Sequence, residues 1–318
     1  PPKLNITSSF FHNNLRAWWY EKFYRMSLPE HRFTYEDLLS GNFSLPRMLF
    51  NKIGGFNAIF PCREDYELGA RLIKSGIDFY FVKDAMAYHR DTVTDLDRSL
   101  VRKREEGRGD VMFGRCHQDL IFQLNLSHFG DAISWRRKTL LNLVFRFPGL
   151  FDGIAFGLRS LLQFFEHFRM RGHWQRLYNR LLMYWYIRGL RDEFHNYHAF
   201  LNFLEDNRIQ KSTKRNKLII DLKKGLLEAE KSLDLNRPDS LFLCWAGIPV
   251  GYLSYQPGAE RIRSPHLRYV LKTTFAYRLI QSMAIDLAYH EGEHRVDDAR
   301  DIIKVKFQGM NYGEDKAI

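Results

Sequence analysis

Residues 38–89 read LLSGNFSLPRMLFNKIGGFNAIFPCREDYELGARLIKSGIDFYFVKDAMAYH. Apolar residues recur at helical spacing after Glu64, and they are Leu68, Leu72 and Ile73. We therefore predict a helix that begins at Glu64. Gly76 stands where a glycine in the left-handed conformation ends a helix, so we expect the helix to stop there.

Short apolar runs on both sides of this helix predict strands. They lie at residues 38–45, 77, 79–82 and 85–88. Pro46 suits the first turn of a short helix, because its missing N–H would have no partner there. Gly54 and Gly55 allow the backbone a positive φ or a close approach to a ligand. The stretch as a whole therefore predicts a small α/β unit.

Glu64 and Asp65 fall in the first turn of the predicted helix, where the helix dipole favours ionised carboxylates. An ionised carboxylate at the lip of a pocket is a candidate general base. Acidic residues also occur in first turns as plain helix capping, and the pattern alone leaves both interpretations open. Glu67, further along the helix, is interpreted as a solvated residue.

The order of these residues resembles the C-terminal half of the catalytic domain of family-2 glycosyltransferases. The matching positions are Gly41-Asn42, Arg47, residues 53–56, Glu64-Asp65, Glu67-Leu68, Arg71, Gly76 and His89. Enzymes of that family have the GT-A fold and transfer a sugar from a nucleotide diphosphate donor with inversion. The resemblance covers residues 38–89, a minor part of the chain, and implies a partial GT-A-like α/β fold there.

The resemblance implies Asp65 as the base that deprotonates the acceptor hydroxyl, with Glu64 beside it. The substrate-binding residues that it implies are Gly41, Asn42, Gly54, Gly55 and Arg71. His89 matches a position that contacts the metal or the diphosphate in some relatives. Asn57 departs from the family pattern, since many relatives have an acidic residue there. That acidic residue is not usually assigned a catalytic role.

A larger departure concerns the nucleotide. In that family an N-terminal βαβ half binds it and ends in an Asp-x-Asp that holds a divalent metal, Mg or Mn. The residues before Gly41 contain no such half. Asp95 and Asp97 have the right spacing but follow the acidic pair, and we interpret them as part of a solvated helix face. We therefore expect a fragment that begins inside a catalytic domain and is inactive alone, with the metal bound in the complete enzyme.

Length and composition limit the number of domains and the class of protein. Its 318 residues are enough for two or three domains, and its 45% hydrophobic content is that of a globular protein. Cys62, Cys116 and Cys244 are odd in number and widely spaced, which predicts neither a disulfide framework nor a zinc site. They fit a reducing compartment, so we predict a cytoplasmic protein.

Residues 91–232 predict a basic, aromatic-rich helical region. Helices are predicted at residues 94–106, where Gly107 and Gly109 end the helix, and at 111–129, 140–147, 150–168, 174–204 and 217–233. Between Arg136 and Arg191 there are eleven Lys and Arg residues against two acids. No stretch has about 18 uncharged apolar residues, so no transmembrane span is predicted. Two interpretations stay open: interfacial helices on an anionic membrane surface at its inner face, or a bundle that packs its own aromatics inside.

The C-terminal part differs in composition. Residues 240–245 and 250–255 predict the two strands of a hairpin with a turn at 247–249. A helix is predicted to follow from Ser264 to about residue 289. This module resembles segments appended to some bacterial multi-domain family-2 glycosyltransferases. Residues 291–318 predict a charged tail.

The predicted domains are therefore residues 1–90, 91–232, 233–290 and the tail 291–318. The function predicted first is a fragment of an inverting glycosyltransferase, with a nucleotide-sugar donor and a glycan or lipid-linked acceptor. The alternative is a peripheral membrane-surface or scaffolding module without catalysis of its own. Nucleic-acid binding is not predicted, because no recognisable module is present and the aromatics follow helical core spacing.

Overall fold

The computed structural model describes residues 9–85, 87, 95–130, 134–207 and 215–291. They form two compact units, one from the described residues up to 207 with 256–260, the other from 215–255 and 261–291. The chain is mostly helical with a small three-stranded mixed sheet, which confirms at this coarse level the prediction of a helix-rich chain that carries a small sheet. The domain boundaries near residues 90, 232 and 290 stay predictions. Residues 292–318 of the predicted tail lie outside the described residues.

The first unit is helical. Its helices are α1 (Phe10–Met26), α2 (Arg47–Ile53), α3 (Glu64–Lys74), α4 (Leu96–Cys116), α5 (Trp135–Arg146), α6 (Pro148–His167), α7 (Arg171–Glu193) and α8 (Tyr197–Asp206), with 3-10 helices at Tyr35–Asp37, Gln118–Gln123 and Asn125–Phe129. α3 begins at Glu64, as predicted. Gly76, with a φ of 79°, closes it and donates its N–H to the Ile73 carbonyl at 2.9 Å.

The predicted strands around α3 are wrong. No strand occurs among the described residues of the four runs, 38–45, 77, 79–82 and 85–88. Apolar side chains from these runs pack directly on α3 instead, and Leu38 forms a buried cluster with Leu68 and Leu72. Because the helix surface covers them, their burial needs no partner strand. Residues 86 and 88 lie outside the described residues.

α4 runs through Gly107 and Gly109, where the sequence predicts its end. Both glycines are buried, and so is Gly189 on α7. A Cβ on Gly107 would overlap the carbonyl oxygen of Tyr186, and a Cβ on Gly189 would overlap that of Arg104. Gly107 and Gly189 therefore let α4 and α7 approach closely, while Gly109 faces the Cys62 carbonyl. The prediction that Gly107 and Gly109 end the helix is wrong.

The helix limits elsewhere in this unit differ from the predicted ones. α4 ends at Cys116 and two 3-10 helices follow, so the single helix predicted over 111–129 is wrong. The helix predicted over 174–204 is two helices, because the chain extends after α7 and Asn196 caps the start of α8. The break predicted at Pro148 is confirmed, since α5 ends before it and α6 begins there.

The second unit holds the sheet. Its elements are β1 (Lys217–Asp221), a 3-10 helix (Leu222–Lys224), α9 (Leu226–Asn236), β2 (Ser240–Trp245), β3 (Ile248–Leu253), α10 (Ser264–Lys272) and α11 (Ala276–Glu291). β2 lies in the middle, parallel to β1 and antiparallel to β3. The predicted hairpin is confirmed, but its turn and second strand are not where they were predicted, at 247–249 and 250–255, because β3 already begins at Ile248. Its turn is Ala246-Gly247, with φ of 49° and 81°, the conformation that a two-residue hairpin loop favours.

Two helix predictions in this unit need correction. The helix predicted over 217–233 is wrong at its start, because residues 217–221 pair with β2 as a strand and only α9 is helical. Gly225, with a φ of 111°, separates the two. The helix predicted from Ser264 to 289 is split between α10 and α11, where the Phe275 side chain is buried against β3.

A helix that crosses a membrane must be both long and apolar. Among the described residues, no single helix is long and apolar enough. α5 and α6 meet the requirements of length and composition only as a pair, and that pair is bent by 103° at the break between them.

Candidate functional site

The first turn of α3 presents the predicted acidic pair. Arg63, with a φ of 74°, turns the chain sharply into the helix and leaves Glu64 and Asp65 at its start. Asp65 Oδ2 accepts hydrogen bonds from the backbone N–H and the hydroxyl of Ser40, both at 3.3 Å. The other carboxylate oxygen accepts the Tyr66 N–H at 2.9 Å. Asp65 is thus held by neutral donors at a partly exposed position.

These contacts bring together stretches that are far apart in the sequence. Ser40 adjoins Gly41 and Asn42, so the predicted substrate-binding loop lies against Asp65. Asn42 in turn donates its side-chain N–H to the Ala85 carbonyl at 2.8 Å. Residues 40–42 therefore lie next to the start of α3 through Ser40 and next to residue 85 through Asn42.

The predicted glycine turn is attached to α3 at a different place. Gly54 and Gly55 have φ of 89° and 64°, which confirms the prediction that positive φ is used here. Arg71 donates to the carbonyls of Ile53 and of Gly55, the latter at 2.6 Å, and also donates twice to Glu67. Arg71 thus braces the turn against α3. Its role in binding substrate stays a prediction.

Glu67 is the residue that sequence reasoning placed wrongly. Its side chain is only 4% exposed and makes an ion pair with Arg71 at 2.7 Å and a contact with His117 Nε2 at 3.3 Å. Burial alone would raise the pKa of Glu67, but the His117 and Arg71 contacts outweigh it and lower the pKa. Glu67 is therefore part of the fold and not a solvated residue. The spacing of Glu67 and Arg71, four residues apart, is a signal that could have found it.

A buried ion cluster lies directly behind the acidic pair. Arg63 Nε donates to Asp110 at 3.0 Å, and its other end donates to Glu106 at 3.2 Å. Asp110 also accepts the Tyr186 hydroxyl proton at 2.6 Å. Burial opposes the charge on Arg63, but Asp110 and Glu106 outweigh it and raise the pKa of the guanidinium. The cluster ties the residue before α3 to α4 and α7, which fixes where α3 begins.

The metal prediction cannot be placed on the described residues. His89, the predicted metal contact, lies outside them. Among the residues that the structure describes, no group of three or more His, Cys, Asp or Glu side chains could hold a metal ion. Asp95 caps α4 by accepting the Arg98 N–H at 2.7 Å, and Asp97 forms an ion pair with Arg159. We therefore derive no reaction step that passes through a metal.

A half-open, mostly apolar cavity of about 200 Å³ lies elsewhere in the first unit. Its lining residues come from α4, α6 and α7, and they are Asp97, Leu100, Val101, Ala155, Phe156, Arg159 and Trp185. None of the predicted site residues lines it, and its one carboxylate is paired with its one guanidinium. We therefore take the surface around Asp65, and not this cavity, as the candidate site.

The arrangement at Asp65 suits proton transfer. The carboxylate is partly exposed and its hydrogen-bond donors at Ser40 are neutral. In the adjoining loop, Asn42 donates its backbone N–H to the Leu39 carbonyl and its side-chain N–H to the Ala85 carbonyl. Such a carboxylate takes a proton from a bound hydroxyl when the two lie within hydrogen-bond reach. Comparison with protein-family models, with curated proteins and with solved structures finds no match to the chain.

Proposed function

We propose that residues 38–89 form the acceptor side of an inverting glycosyltransferase of the family-2 type, with a partial GT-A-like arrangement. Asp65 is the general base and Glu64 lies beside it. The donor is a nucleotide diphosphate sugar, and the acceptor is a glycan or a lipid-linked hydroxyl.

One observation supports the proposal most. Asp65 and the 40–42 loop are 25 residues apart, yet Asp65 accepts both the N–H and the hydroxyl of Ser40. The resemblance implies that these two stretches share one site, and a helix cap alone would not require the loop to be there. Asn42 adds a second link, to residue 85, on the segment that leads toward His89.

The proposed reaction is a single displacement. Asp65 takes the proton of the acceptor hydroxyl while the oxygen of that hydroxyl attacks the anomeric carbon of the donor sugar. The new glycosidic bond forms as the bond between the anomeric carbon and the diphosphate breaks, and the electron pair leaves with the diphosphate. Because the attack and the departure are on opposite faces, the anomeric configuration inverts. One base suffices, and no covalent nucleophile is required.

The charge on the leaving diphosphate needs a counterpart. Mg or Mn, or basic groups, can supply it in this type of reaction. We propose a divalent metal as a cofactor of the complete enzyme and His89 as a contact to it. Arg71 is the basic residue that the resemblance assigns to substrate, and its hydrogen bonds to Ile53, Gly55 and Glu67 give it a fixed position.

The test is the substitution Asp65→Asn in the full-length protein. Asn keeps the size of the side chain but takes no proton at neutral pH, so sugar transfer should fall about 10²- to 10⁴-fold while donor binding is retained. Asp119→Asn is the matched control, because Asp119 is an exposed carboxylate paired with Lys74 at the far end of α3. It should transfer sugar normally. Normal turnover by Asp65→Asn would overturn the assignment of the base.

The alternative prediction, a membrane-surface or scaffolding module, concerns other residues. It depends on α5 and α6, whose side chains are not among those at Asp65. That alternative gives the protein no catalysis of its own, so sugar transfer would exclude it. A membrane-binding surface on α5 and α6 alone would not conflict with catalysis at α3.

A further inference from the structure

α6 has two apolar faces, and only one of them is used inside the first unit. Ala155 and Leu162 are buried on its inner side. On the opposite side, large apolar side chains are between 36% and 64% exposed. They are Leu150, Ile154, Leu158, Leu161, Phe164 and Phe168. We call these six residues the outer α6 face. Monomeric proteins seldom expose a continuous apolar surface of this kind unless it contacts a partner or a membrane.

α5 extends this surface around the bend. Trp135, Leu140, Leu143 and Phe147 are also exposed, and Trp135 is 72% exposed. The bend of 103° between α5 and α6 prevents the pair from forming one straight span. Two short helices with bulky apolar side chains suit a position in the plane of a membrane interface, where only one side of each helix is immersed.

The exposed charged residues that border this surface are positive. Arg136, Arg137 and Arg146 on α5 are exposed, and so are Arg169 and Arg171 beyond α6. The guanidinium groups of Arg136 and Arg146 each lie 5.6 Å from the ring centre of the aromatic residue beside them. Cations at the border of an apolar surface are placed to reach lipid headgroups while their stems cover hydrocarbon.

The two acidic residues of this segment are held by the protein. Asp152 is paired with Arg188 at 3.2 Å and also accepts the Tyr184 hydroxyl proton. Glu166 accepts the Phe10 N–H at 2.6 Å. Both carboxylates are therefore engaged with groups inside the unit.

We propose that α5 and the outer α6 face bind the surface of a bilayer that contains anionic lipids. A second copy of the chain is the other obvious occupant, but exposed arginines lie at both ends of the face, Arg146 before α6 and Arg171 after it. Parallel and antiparallel pairing would both bring like charges together, which is unfavourable. An anionic bilayer offers opposite charge at the headgroups and hydrocarbon beneath them. This inference does not depend on the proposed glycosyl transfer.

The test is co-sedimentation of the full-length protein with vesicles. One set contains phosphatidylcholine alone, and the other contains phosphatidylcholine with phosphatidylserine. Each basic residue near an anionic surface adds about fivefold to membrane binding, so the anionic vesicles should bind at least tenfold more tightly. Raising the salt concentration should weaken that binding, because it screens the arginines.

Two variants separate the apolar and the charged contributions. Leu161→Ser with Phe164→Ser should lower binding at least tenfold, since both side chains point away from the unit. Arg136→Gln with Arg137→Gln should lower binding to anionic vesicles by about tenfold or more and leave binding to neutral ones unchanged. Leu235→Ser is the control, because Leu235 is also a large apolar residue and is more exposed than Leu161 and Phe164, but it lies on α9. It should bind as the wild type does.

The outcomes are distinguishable. Urea unfolding of each variant shows whether it folds, and the exposed positions should leave the unfolding midpoint unchanged. Equal binding to both vesicle types, no binding to either, or wild-type binding by the Leu161→Ser, Phe164→Ser variant would overturn the proposal. A dimer in analytical ultracentrifugation that this variant abolishes, without vesicle binding, would assign the surface to a second copy instead.

Discussion

Two carboxylates on α3, two residues apart, have opposite surroundings. Asp65 is partly exposed, and its Oδ2 receives hydrogen bonds from the neutral N–H and hydroxyl of Ser40. Glu67 is buried and lies between the guanidinium of Arg71 and the ring of His117. The first carboxylate keeps a face toward solvent and ligands, whereas the second is held by a cation within the fold.

The ion cluster behind α3 contains two further carboxylates that are paired with a cation, as Glu67 is. Asp110 is buried between Arg63 and the hydroxyl of Tyr186, and Glu106 lies at the other end of the same guanidinium. Removing a carboxylate that is buried with a cationic partner destabilises the fold, because it leaves an uncompensated buried charge. The comparison therefore assigns stability to Glu67 and Asp110, while Asp65 is the carboxylate of the proposed proton transfer. The predictions that follow test that division.

The largest effect is expected at Asp110. Asp110→Asn removes the charge that faces Arg63, and breaking such a buried pair costs about 3–5 kcal/mol in the free energy of unfolding. Urea unfolding measures it. The matched control is Asp97→Asn, because Asp97 is paired with Arg159 on the surface and should cost no more than about 1 kcal/mol. Equal losses in the two variants would contradict the assignment of Asp110 to the fold.

A smaller loss is expected at Glu67. Glu67→Gln keeps the shape of the side chain but replaces a charged acceptor that Arg71 and His117 share, which costs about 1.5–3 kcal/mol. Glu64→Gln, in the first turn of the same helix, should change the free energy of unfolding by about 0.5 kcal/mol or less. If Glu67→Gln unfolds at the wild-type urea concentration, the distinction between Asp65 and Glu67 fails.

The third prediction concerns pH and another buried carboxylate, Asp37. Burial alone would raise its pKa, but contacts with His31, Lys22 and Thr34 outweigh it and lower the pKa to about 2. Because the pKa is lower in the folded state, the stabilisation is fully present above the unfolded value of 3.8 and is lost as the pH falls toward 2. It amounts to about 2 kcal/mol.

The Asp37 contribution can be isolated from that of other carboxylates. The difference in unfolding free energy between the wild type and Asp37→Asn should be constant above about pH 5 and should shrink below pH 3.8. Acid-dependent urea unfolding of both proteins gives that difference. A difference that does not change between neutral pH and pH 2 would show that the charge on Asp37 contributes nothing.

Local patterns predicted the two ends of α3 and the glycine turn correctly, but not the short strands beside them. The start of α3, its end at Gly76 and the positive φ of Gly54 follow from residues within a few positions of one another. Patterns failed where packing decides. The run at 38–45 is apolar because it covers α3, and Gly107 is a close helix contact although glycine commonly ends helices. Nothing near these residues in the sequence reveals the partner that overrides their local preference.

The candidate site shows the same division. The meeting of Asp65 with the 40–42 loop was implied by a resemblance of motifs in order, and no periodicity indicated it. Some partners of the stability residues are remote, since Glu67 contacts His117 fifty residues later and Arg63 contacts Asp110, whereas Arg71 lies only four residues from Glu67. The sequence alone therefore does not distinguish a carboxylate that stabilises the fold from one that is available for chemistry, until its remote partners are located.

The most direct test of the central claim measures two properties of Asp65→Asn in one preparation of the full-length protein. The first is the free energy of unfolding in urea, and the second is the rate of sugar transfer. We predict that unfolding changes by about 0.5 kcal/mol or less, as at a surface position, while transfer falls about 10²- to 10⁴-fold. A variant that transfers sugar at the wild-type rate, or that loses stability in proportion to its activity, would contradict the claim that Asp65 serves chemistry and not the fold.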